Sequence, residues 1–193
     1  MSSMPTLTDH AEEHRVSRAE FEALREARRD GSRFELLAGE VLVTPSPSFL
    51  HQYASGELFS LLKARLSGDL VLLSAPFDVH FDAVDGAEAV LQPDLLIAPR
   101  TNFTDSELPV APTLAVEILS PSTWRRDLGS KRDAYAAAGV QHYWVVAPST
   151  PSITVYARGE DAAYREEAHL TDDQSWTVRA PVEVTLRPAD LVR

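Results

Sequence analysis

The strongest constraint on the fold is the segment 114–119 (LAVEIL), in which a single acid interrupts an otherwise apolar run. A strand that is apolar on both faces is typical of the interior of a sheet that is covered on two sides. The segment 125–138 that follows has helical character and ends at Gly139, and another apolar run occupies 143–147. Strand, helix and strand at this spacing predict a parallel βαβ unit, which is right-handed by default.

Patterns on both sides of this unit predict further helices and strands. Ser17 and Glu20 form a capping-box pattern for an amphipathic helix over about 18–29. After it we expect a hairpin over 34–43, a helix over 50–66, strands at 71–73, 77–81 and 89–97, and a C-terminal hairpin that begins at Ile153. The expected fold class is α/β: a core of helix, three strands, helix and strand with a mixed central sheet, plus an N-terminal helix and hairpin and a C-terminal hairpin.

Length and composition indicate a globular protein. The chain has 193 residues, 44% of them hydrophobic, which is enough for a sizeable core. We expect residues 1–14, which are polar and acidic, to form a flexible tail and residues 15–193 to form a single domain. The tail lacks the apolar segment of a signal peptide, and no apolar run approaches the ~18 residues of a membrane span. Because the chain has no cysteine, disulfides and thiolate chemistry are excluded, and we expect a cytoplasmic protein without membrane association.

The charge balance limits the kinds of nucleic-acid binding that are open to this chain. The formal net charge is −11, which argues against broad, nonspecific coating of DNA. It leaves room for a local site, since divalent cations can offset carboxylates. Arg125, Arg126 and Arg132 form a basic cluster with Lys131 after the Glu117 strand. This cluster fits either a nucleic-acid contact or an ordinary solvated helix face.

Two acids within apolar strands are the candidate catalytic groups. Asp94 and Glu117 are costly to bury unless they bind a cation or a proton. On neighbouring strands, both could hold one Mg²⁺ or Mn²⁺, with the backbone carbonyl of Ile118 as a third protein ligand. Lys131 on the next helix could hold a phosphate or orient the attacking water. Asp94 follows a proline, so a turn-capping role is an alternative for it.

Several motifs resemble those of the PD-(D/E)xK nuclease superfamily and, within it, the Uma-two family of restriction-endonuclease-like proteins. They are Phe34–Glu40, Pro45–Pro47, His51, Pro93-Asp94, Val116–Thr123, Asp127, Lys131, Tyr135 and Gly139–Trp144. The resemblance covers nearly the whole chain beyond residue 15. It implies a restriction-endonuclease-like fold and a Mg²⁺- or Mn²⁺-dependent endonuclease that hydrolyses nucleic acid, with DNA favoured. It also implies a homodimer, because nucleases of this superfamily often pair to cut two strands.

The sequence departs from the superfamily pattern at one position. The superfamily places a lysine two residues after the second acid, and Leu119 stands there in this chain. The Uma-two pattern looks like one in which the lysine has moved to the helix, which assigns the role to Lys131. A helix that starts near Arg125 puts Lys131 and Tyr135 on one face, four residues apart.

Supporting roles are assigned more loosely, and each has a structural alternative. His51 could contact the phosphate or a metal-bound water, or it could be a capping or surface histidine. Glu40, with Glu35, flanks a hairpin tip, where an exposed charge is the simpler reading. Tyr135 fits core packing as well as the site, and Asp127 fits a charge at a helix N-terminus.

The function itself has an alternative of a different class. A non-catalytic regulatory or protein-interaction module could retain the nuclease fold, and the acidic charge and Leu119 favour it. The joint presence of Asp94, Glu117 and Lys131 favours the enzyme. Carboxylates of Asp94 and Glu117 within about 5 Å of each other, with the Lys131 amine nearby, would support the enzyme.

Overall fold

The structure is a computed structural model that describes residues 15–28, 33–82 and 88–193. The expected tail at 1–14, the last residue of the helix expected over 18–29, and residues 83–87 lie outside the described residues. The helices are α1 (Arg18–Ala27), α2 (Phe49–Lys63), α3 (Trp124–Asp127) and α4 (Ser130–Ala138). The strands are β1 (Arg33–Leu37), β2 (Glu40–Thr44), β3 (Leu70–Ser74), β4 (Asp78–Asp82), β5 (Glu88–Leu91), β6 (Leu95–Pro99), β7 (Glu107–Leu108), β8 (Leu114–Ile118), β9 (His142–Ala147), β10 (Ser152–Arg158), β11 (Tyr164–Thr171), β12 (Trp176–Val178) and β13 (Val184–Leu186).

A six-stranded mixed sheet forms the centre of the fold, in the order β11-β10-β9-β8-β6-β3. β8 and β9 are parallel and are connected through α3 and α4, which confirms the predicted βαβ unit. The other neighbouring pairs of this sheet are antiparallel, including the expected C-terminal hairpin of β10 and β11. The expected α/β fold with a mixed central sheet is therefore confirmed.

β8 is buried along its whole length because both faces of the sheet are covered. Its residues Leu114, Val116 and Ile118 pack with Leu58 and Leu62 of α2 in one apolar cluster. Ala115, on the other face, packs with Ala134 and Tyr135 of α4 in a second cluster. Side chains alternate along a strand, so Glu117 lies on the α4 face with Ala115.

A second sheet, in the order β2-β1-β5-β4-β7, carries the N-terminal hairpin. The segment 89–97, expected as one strand, is divided between the two sheets: β5 pairs with β1 and β4, whereas β6 pairs with β3 and β8. Pro93, between the two strands, has no N–H with which to continue a ladder. The break places Asp94 immediately before β6, where the sheets meet.

The helix expected over 125–138 is also divided, into α3 and α4. At the break, a Cβ added to Gly129 would lie 2.8 Å from the carbonyl oxygen of Arg125. A side chain does not fit there, so glycine allows the two helices to meet. The predicted end at Gly139 is confirmed, since this residue caps α4 with φ = 91°, a left-handed conformation that favours glycine.

The first helix agrees with its sequence signals. Ser17 accepts a hydrogen bond from the backbone of Glu20 and the Glu20 side chain accepts one from the backbone of Ser17, which confirms the capping box. Among the described residues, no helix has the length and apolar character needed to cross a membrane.

Candidate active site

A cleft of about 160 Å³ opens where the two sheets, the start of α2 and the turn after β8 meet. Its walls include Glu35 of β1, His51 of α2, Asp94 before β6, Glu117 of β8 and Lys131 of α4. The three predicted catalytic side chains therefore line one cleft. They reach it from three different elements, which only the tertiary fold brings together.

Lys131 lies at the centre of a buried cluster of acids. Its Nζ donates hydrogen bonds to Oε1 of Glu35 over 2.9 Å and to Oε1 of Glu117 over 3.1 Å. Asp127 Oδ1 is 3.8 Å away. Burial alone would lower the pKa of Lys131, but the charges of Glu117, Glu35 and Asp127 outweigh it and raise that pKa. Lys131 is therefore held in its protonated form.

Glu117 is held in a less favourable environment for its charge. Burial raises the pKa of its carboxyl well above the ordinary value, Lys131 opposes that shift, and the charges of Asp127, Asp94 and Glu35 reinforce it. Tyr135 donates a hydrogen bond from its hydroxyl to Oε1 over 3.1 Å. Lys131 and Tyr135, expected on one helix face, thus meet at the same carboxylate oxygen.

Asp94 has the opposite electrostatic setting, although it too is buried. Its Oδ2 accepts hydrogen bonds from Nε2 of His51 over 3.1 Å and from the backbone N–H of Ile118 over 2.8 Å. Nη1 of Arg33 lies 3.6 Å from Oδ1. Burial pushes the pKa of Asp94 upward, but His51, the Ile118 N–H and Arg33 together lower it. Asp94 is therefore a stable carboxylate whose hydrogen bonds connect β8 with α2. Its role in the structure goes beyond the capping of a turn, which was the alternative for this residue.

Glu35 is a buried component of the site, whereas the sequence pattern favoured an exposed charge at this position. It is 2% exposed and accepts hydrogen bonds from Lys131 and, over 2.7 Å, from the backbone N–H of Gln92. Glu40, the acid of the same hairpin for which a supporting role was predicted, is exposed at the hairpin tip. The signal for Glu35 was present, since an acid between Phe34 and Leu36 in a strand resembles the pattern around Glu117.

Polar contacts behind the cleft connect it to the N-terminal helix. Arg33 donates to the side-chain oxygen of Gln92 over 3.2 Å and to its backbone oxygen over 2.8 Å. The Gln92 amide donates to Asp78 over 2.6 Å, and Arg25 of α1 donates to the same carboxylate over 2.7 Å. Individually common polar residues carry this network, so no sequence motif predicts it.

The three arginines expected to bind nucleic acid do not line the cleft itself. Arg125 is exposed, and its guanidinium lies 4.8 Å from the centre of the Trp124 ring. Arg126 is partly exposed, and Arg132 forms an ion pair with Asp133 over 3.2 Å. The cluster therefore begins at the margin of the cleft and continues along the helices.

The oxygen atoms in the cleft suit a hard divalent cation. Within the described residues, no group of three or more His, Cys, Asp or Glu side chains is arranged to hold a metal ion. The expected ligand set is smaller: Asp94, Glu117 and the Ile118 carbonyl, with waters in the remaining positions. The hydrogen bonds from Lys131 and Tyr135 to the Glu117 carboxylate both go to Oε1. Mg²⁺ binds through one or two carboxylates and retains several waters, so this set fits it.

Comparison with known proteins identifies the family. The model of the Uma2 family, described as "Putative restriction endonuclease", matches residues 18–189. The chain belongs to the Uma2 family. The resemblance seen in its motifs is thereby confirmed, and Uma2 membership indicates a nuclease-like function.

A solved structure supports the fold of this Uma2 protein. It is a crystal structure described as "a putative nuclease belonging to DUF820" from Anabaena variabilis, with 18% sequence identity and a TM-score of 0.70. The alignment covers 91% of this chain and 97% of the other. At that identity the likeness shows a common fold. A search of curated proteins gave no match.

Proposed function

We propose that this protein is a Mg²⁺- or Mn²⁺-dependent endonuclease that hydrolyses phosphodiester bonds of nucleic acid, with DNA favoured as substrate. The observation that carries the proposal is the meeting of Asp94, Glu117 and Lys131 in one open cleft. Family membership supports the nuclease class. The metal, the substrate and the activity are what the experiments below test.

Asp94, Glu117 and the Ile118 carbonyl would hold the metal. A bound divalent ion supplies a water of lowered pKa and polarises the phosphate. Asp94 is already ionised and fixed by its hydrogen bonds, so its position is set before a ligand arrives. Lys131 and Tyr135 hold Glu117 through hydrogen bonds to Oε1, and the Glu117 side chain lines the cleft.

Lys131 acts as a cation in this proposal. Because the pKa of Lys131 is raised, its side chain stays protonated at neutral pH and does not serve as a general base. It can instead stabilise the negative charge that develops on the phosphate oxygens. Its hydrogen bonds to Glu35 and Glu117 fix the position of the ammonium, which reduces the cost of reorganisation during the reaction.

One observation favours the non-catalytic alternative. Lys131 already forms buried ion pairs with Glu35 and Glu117, which give these acids a counter-charge without a metal ion. A degenerate site could retain such a pair for stability alone. The cleavage experiment separates the two functions.

The test is cleavage of plasmid and single-stranded DNA with Mg²⁺, with Mn²⁺ and with EDTA. We expect cleavage with either metal and none with EDTA. Glu117→Gln and Asp94→Asn should each abolish it, since both acids are required in the proposal. Glu40→Gln is the matched control, because it removes an exposed acid and should leave the rate unchanged. A wild-type protein that binds no divalent metal at millimolar concentration would refute the metal-dependent nuclease.

We also propose that the protein acts as a cytoplasmic homodimer. The N-terminal helix α1 and the hairpin of β1 and β2 are elements available for a subunit interface. Light scattering at micromolar concentration tests the assembly, and a monomer mass alone would contradict it.

A further inference from the structure

Apolar side chains are exposed at the margin of the cleft. Within the described residues, four large apolar side chains are exposed: Val43, Phe49, Val110 and Trp124. Two of them, Phe49 and Trp124, directly follow in the chain residues that line the cleft, namely Ser48 and Thr123. Exposed apolar groups that concentrate around one concave site indicate a binding surface.

The two aromatic members of this set, Phe49 and Trp124, are here called the aromatic pair. Phe49 is the first residue of α2, is 81% exposed, and has its ring centre 5.9 Å from that of Tyr53. Trp124 is the first residue of α3, is 43% exposed, and carries the Arg125 guanidinium on its ring. Both rings therefore begin helices that bound the cleft, and both have area available to a ligand.

The cleft provides few free cations for phosphate groups. Arg33 is bound to Gln92 and lies beside Asp94, and Lys131 is bound to Glu35 and Glu117. The net charge of −11 also opposes binding through phosphates alone. Aromatic rings supply an interaction with nucleic acid that does not depend on phosphate contacts.

Base stacking on aromatic side chains is the interaction that fits these features. It contributes about 1–3 kcal/mol per base and tolerates any sequence, because every base has a π-face. In a duplex, the faces of the bases are covered by their neighbours, so only unpaired bases are available for such contacts. A second cavity of about 330 Å³ shares Arg33, His51 and Asp94 with the cleft and follows α2, which gives room for a strand to continue.

We propose that Phe49 and Trp124 stack on unpaired bases, so that the cleft takes a single-stranded segment of nucleic acid. This proposal rests on the proposed nuclease function and names its substrate class. Arg125, held on the Trp124 ring, extends the stacking surface with a cation that can reach a phosphate.

The test is equilibrium binding of labelled oligonucleotides, measured by fluorescence anisotropy in EDTA so that no cleavage occurs. The probes are a 12-mer oligothymidine, an abasic oligonucleotide of the same length, and a hairpin duplex. The abasic strand keeps the phosphates and lacks the bases. We expect the oligothymidine to bind at least tenfold more tightly than either of the other probes.

Substitution of the aromatic pair should remove this preference. Phe49→Ala and Trp124→Ala should each weaken oligothymidine binding by about 5- to 150-fold and leave abasic binding unchanged. Val110→Ala is the matched control, since Val110 is exposed but does not neighbour a residue that lines the cleft. Its binding should equal that of the wild type.

Failure of this inference can be distinguished from failure of the nuclease proposal. Equal binding of oligothymidine and abasic strand, or no binding of oligothymidine at micromolar concentration, overturns stacking whatever the cleavage result. A change of oligomeric state in Phe49→Ala or Trp124→Ala with unchanged binding would show that the pair joins copies of the chain, and overturns it too. The expected binding pattern without any cleavage in Mg²⁺ or Mn²⁺ would sustain stacking and refute the nuclease.

Discussion

Nζ of Lys131 donates a hydrogen bond to Oε1 of Glu117 over 3.1 Å, and both groups are almost completely buried. A buried ion pair contributes little net stability, but removal of one partner leaves an uncompensated charge. Here the lysine faces three acids, Glu35, Glu117 and Asp127. Loss of Lys131 should therefore destabilise the protein more than loss of any one of these acids. A substitution of either Lys131 or Glu117 should therefore change both the stability of the fold and the charge of the cleft.

Replacement of Lys131 should affect stability and rate together. Lys131→Ala should lower the free energy of unfolding by about 3–5 kcal/mol, because the buried acids lose their counter-charge. Cleavage should slow by roughly 10²–10³-fold, the range for loss of one group that stabilises developing negative charge, while metal binding is retained. Urea unfolding and a cleavage assay measure the two effects.

The other lysine of the chain provides the control for this substitution. Lys63 is exposed at the end of α2, so Lys63→Ala should change neither quantity appreciably. If Lys131→Ala cleaved as fast as the wild type, the catalytic assignment of Lys131 would be wrong.

The sequence predicted the parts of this site that depend on local pattern. Glu117 was recognisable as an acid in an apolar strand, and the four-residue spacing placed Lys131 and Tyr135 on the helix face that contacts it. The hydrogen-bond partners of Asp94 were not predictable from local pattern. Its contacts with His51 and the Ile118 N–H join segments that are 43 and 24 residues apart in the chain.

The second sheet was also beyond the reach of local pattern. β5 and β6 are both apolar, and only their pairing partners assign them to different sheets. Pro93 gave a signal for a break, but the rest of the segment reads as one continuous strand. Glu35 was undervalued although it stands between two apolar residues, because its partner Lys131 is 96 residues away in the chain.

The raised pKa of Glu117 predicts a loss of stability as pH rises. The folded protein retains a proton on this acid over a range in which the unfolded chain has lost it. The stabilising contribution is therefore complete below the ordinary value of 4.5 and disappears as pH rises through the raised pKa. Glu117→Gln should remove this part of the pH dependence, since glutamine stays neutral. Urea unfolding over a pH series measures it, and a variant with the same slope as the wild type would contradict the prediction.

Asp94 should show the opposite dependence, because its pKa is lowered. Its contribution to stability is present above the ordinary value of 3.8 and is lost as pH falls through the lowered pKa. His51→Ala removes the hydrogen bond that contributes most to holding this pKa down, so acid unfolding should occur at a higher pH. His169→Ala is the control, since His169 is exposed on β11, four strands from β6 in the sheet. Circular dichroism during acid titration compares the two variants, and equal midpoints would refute the role of His51.

Metal binding should release protons from the cleft. Glu117 must be ionised to bind a cation, and burial raises its pKa, so the metal competes with a proton for this carboxylate. Calorimetric titration with Mg²⁺ in two buffers that differ in ionisation enthalpy measures the number released. Glu40→Gln should release as many protons as the wild type, and Glu117→Gln should release fewer. Release that is unchanged in Glu117→Gln would place the titrating group elsewhere.

The junction between α3 and α4 positions Lys131, and Gly129 is the residue that permits it. Gly129→Ala introduces a Cβ 2.8 Å from the Arg125 carbonyl oxygen, so the free energy of unfolding should fall by about 1–3 kcal/mol, as for other overpacked sites. Gly56→Ala, in the middle of α2, meets no atom within 4 Å and should instead raise it by about 0.5–1 kcal/mol. Urea unfolding of both variants compares the two glycines directly. If 125–138 were the single helix that its sequence pattern predicts, both substitutions would stabilise the protein, and that result would refute the break before Lys131.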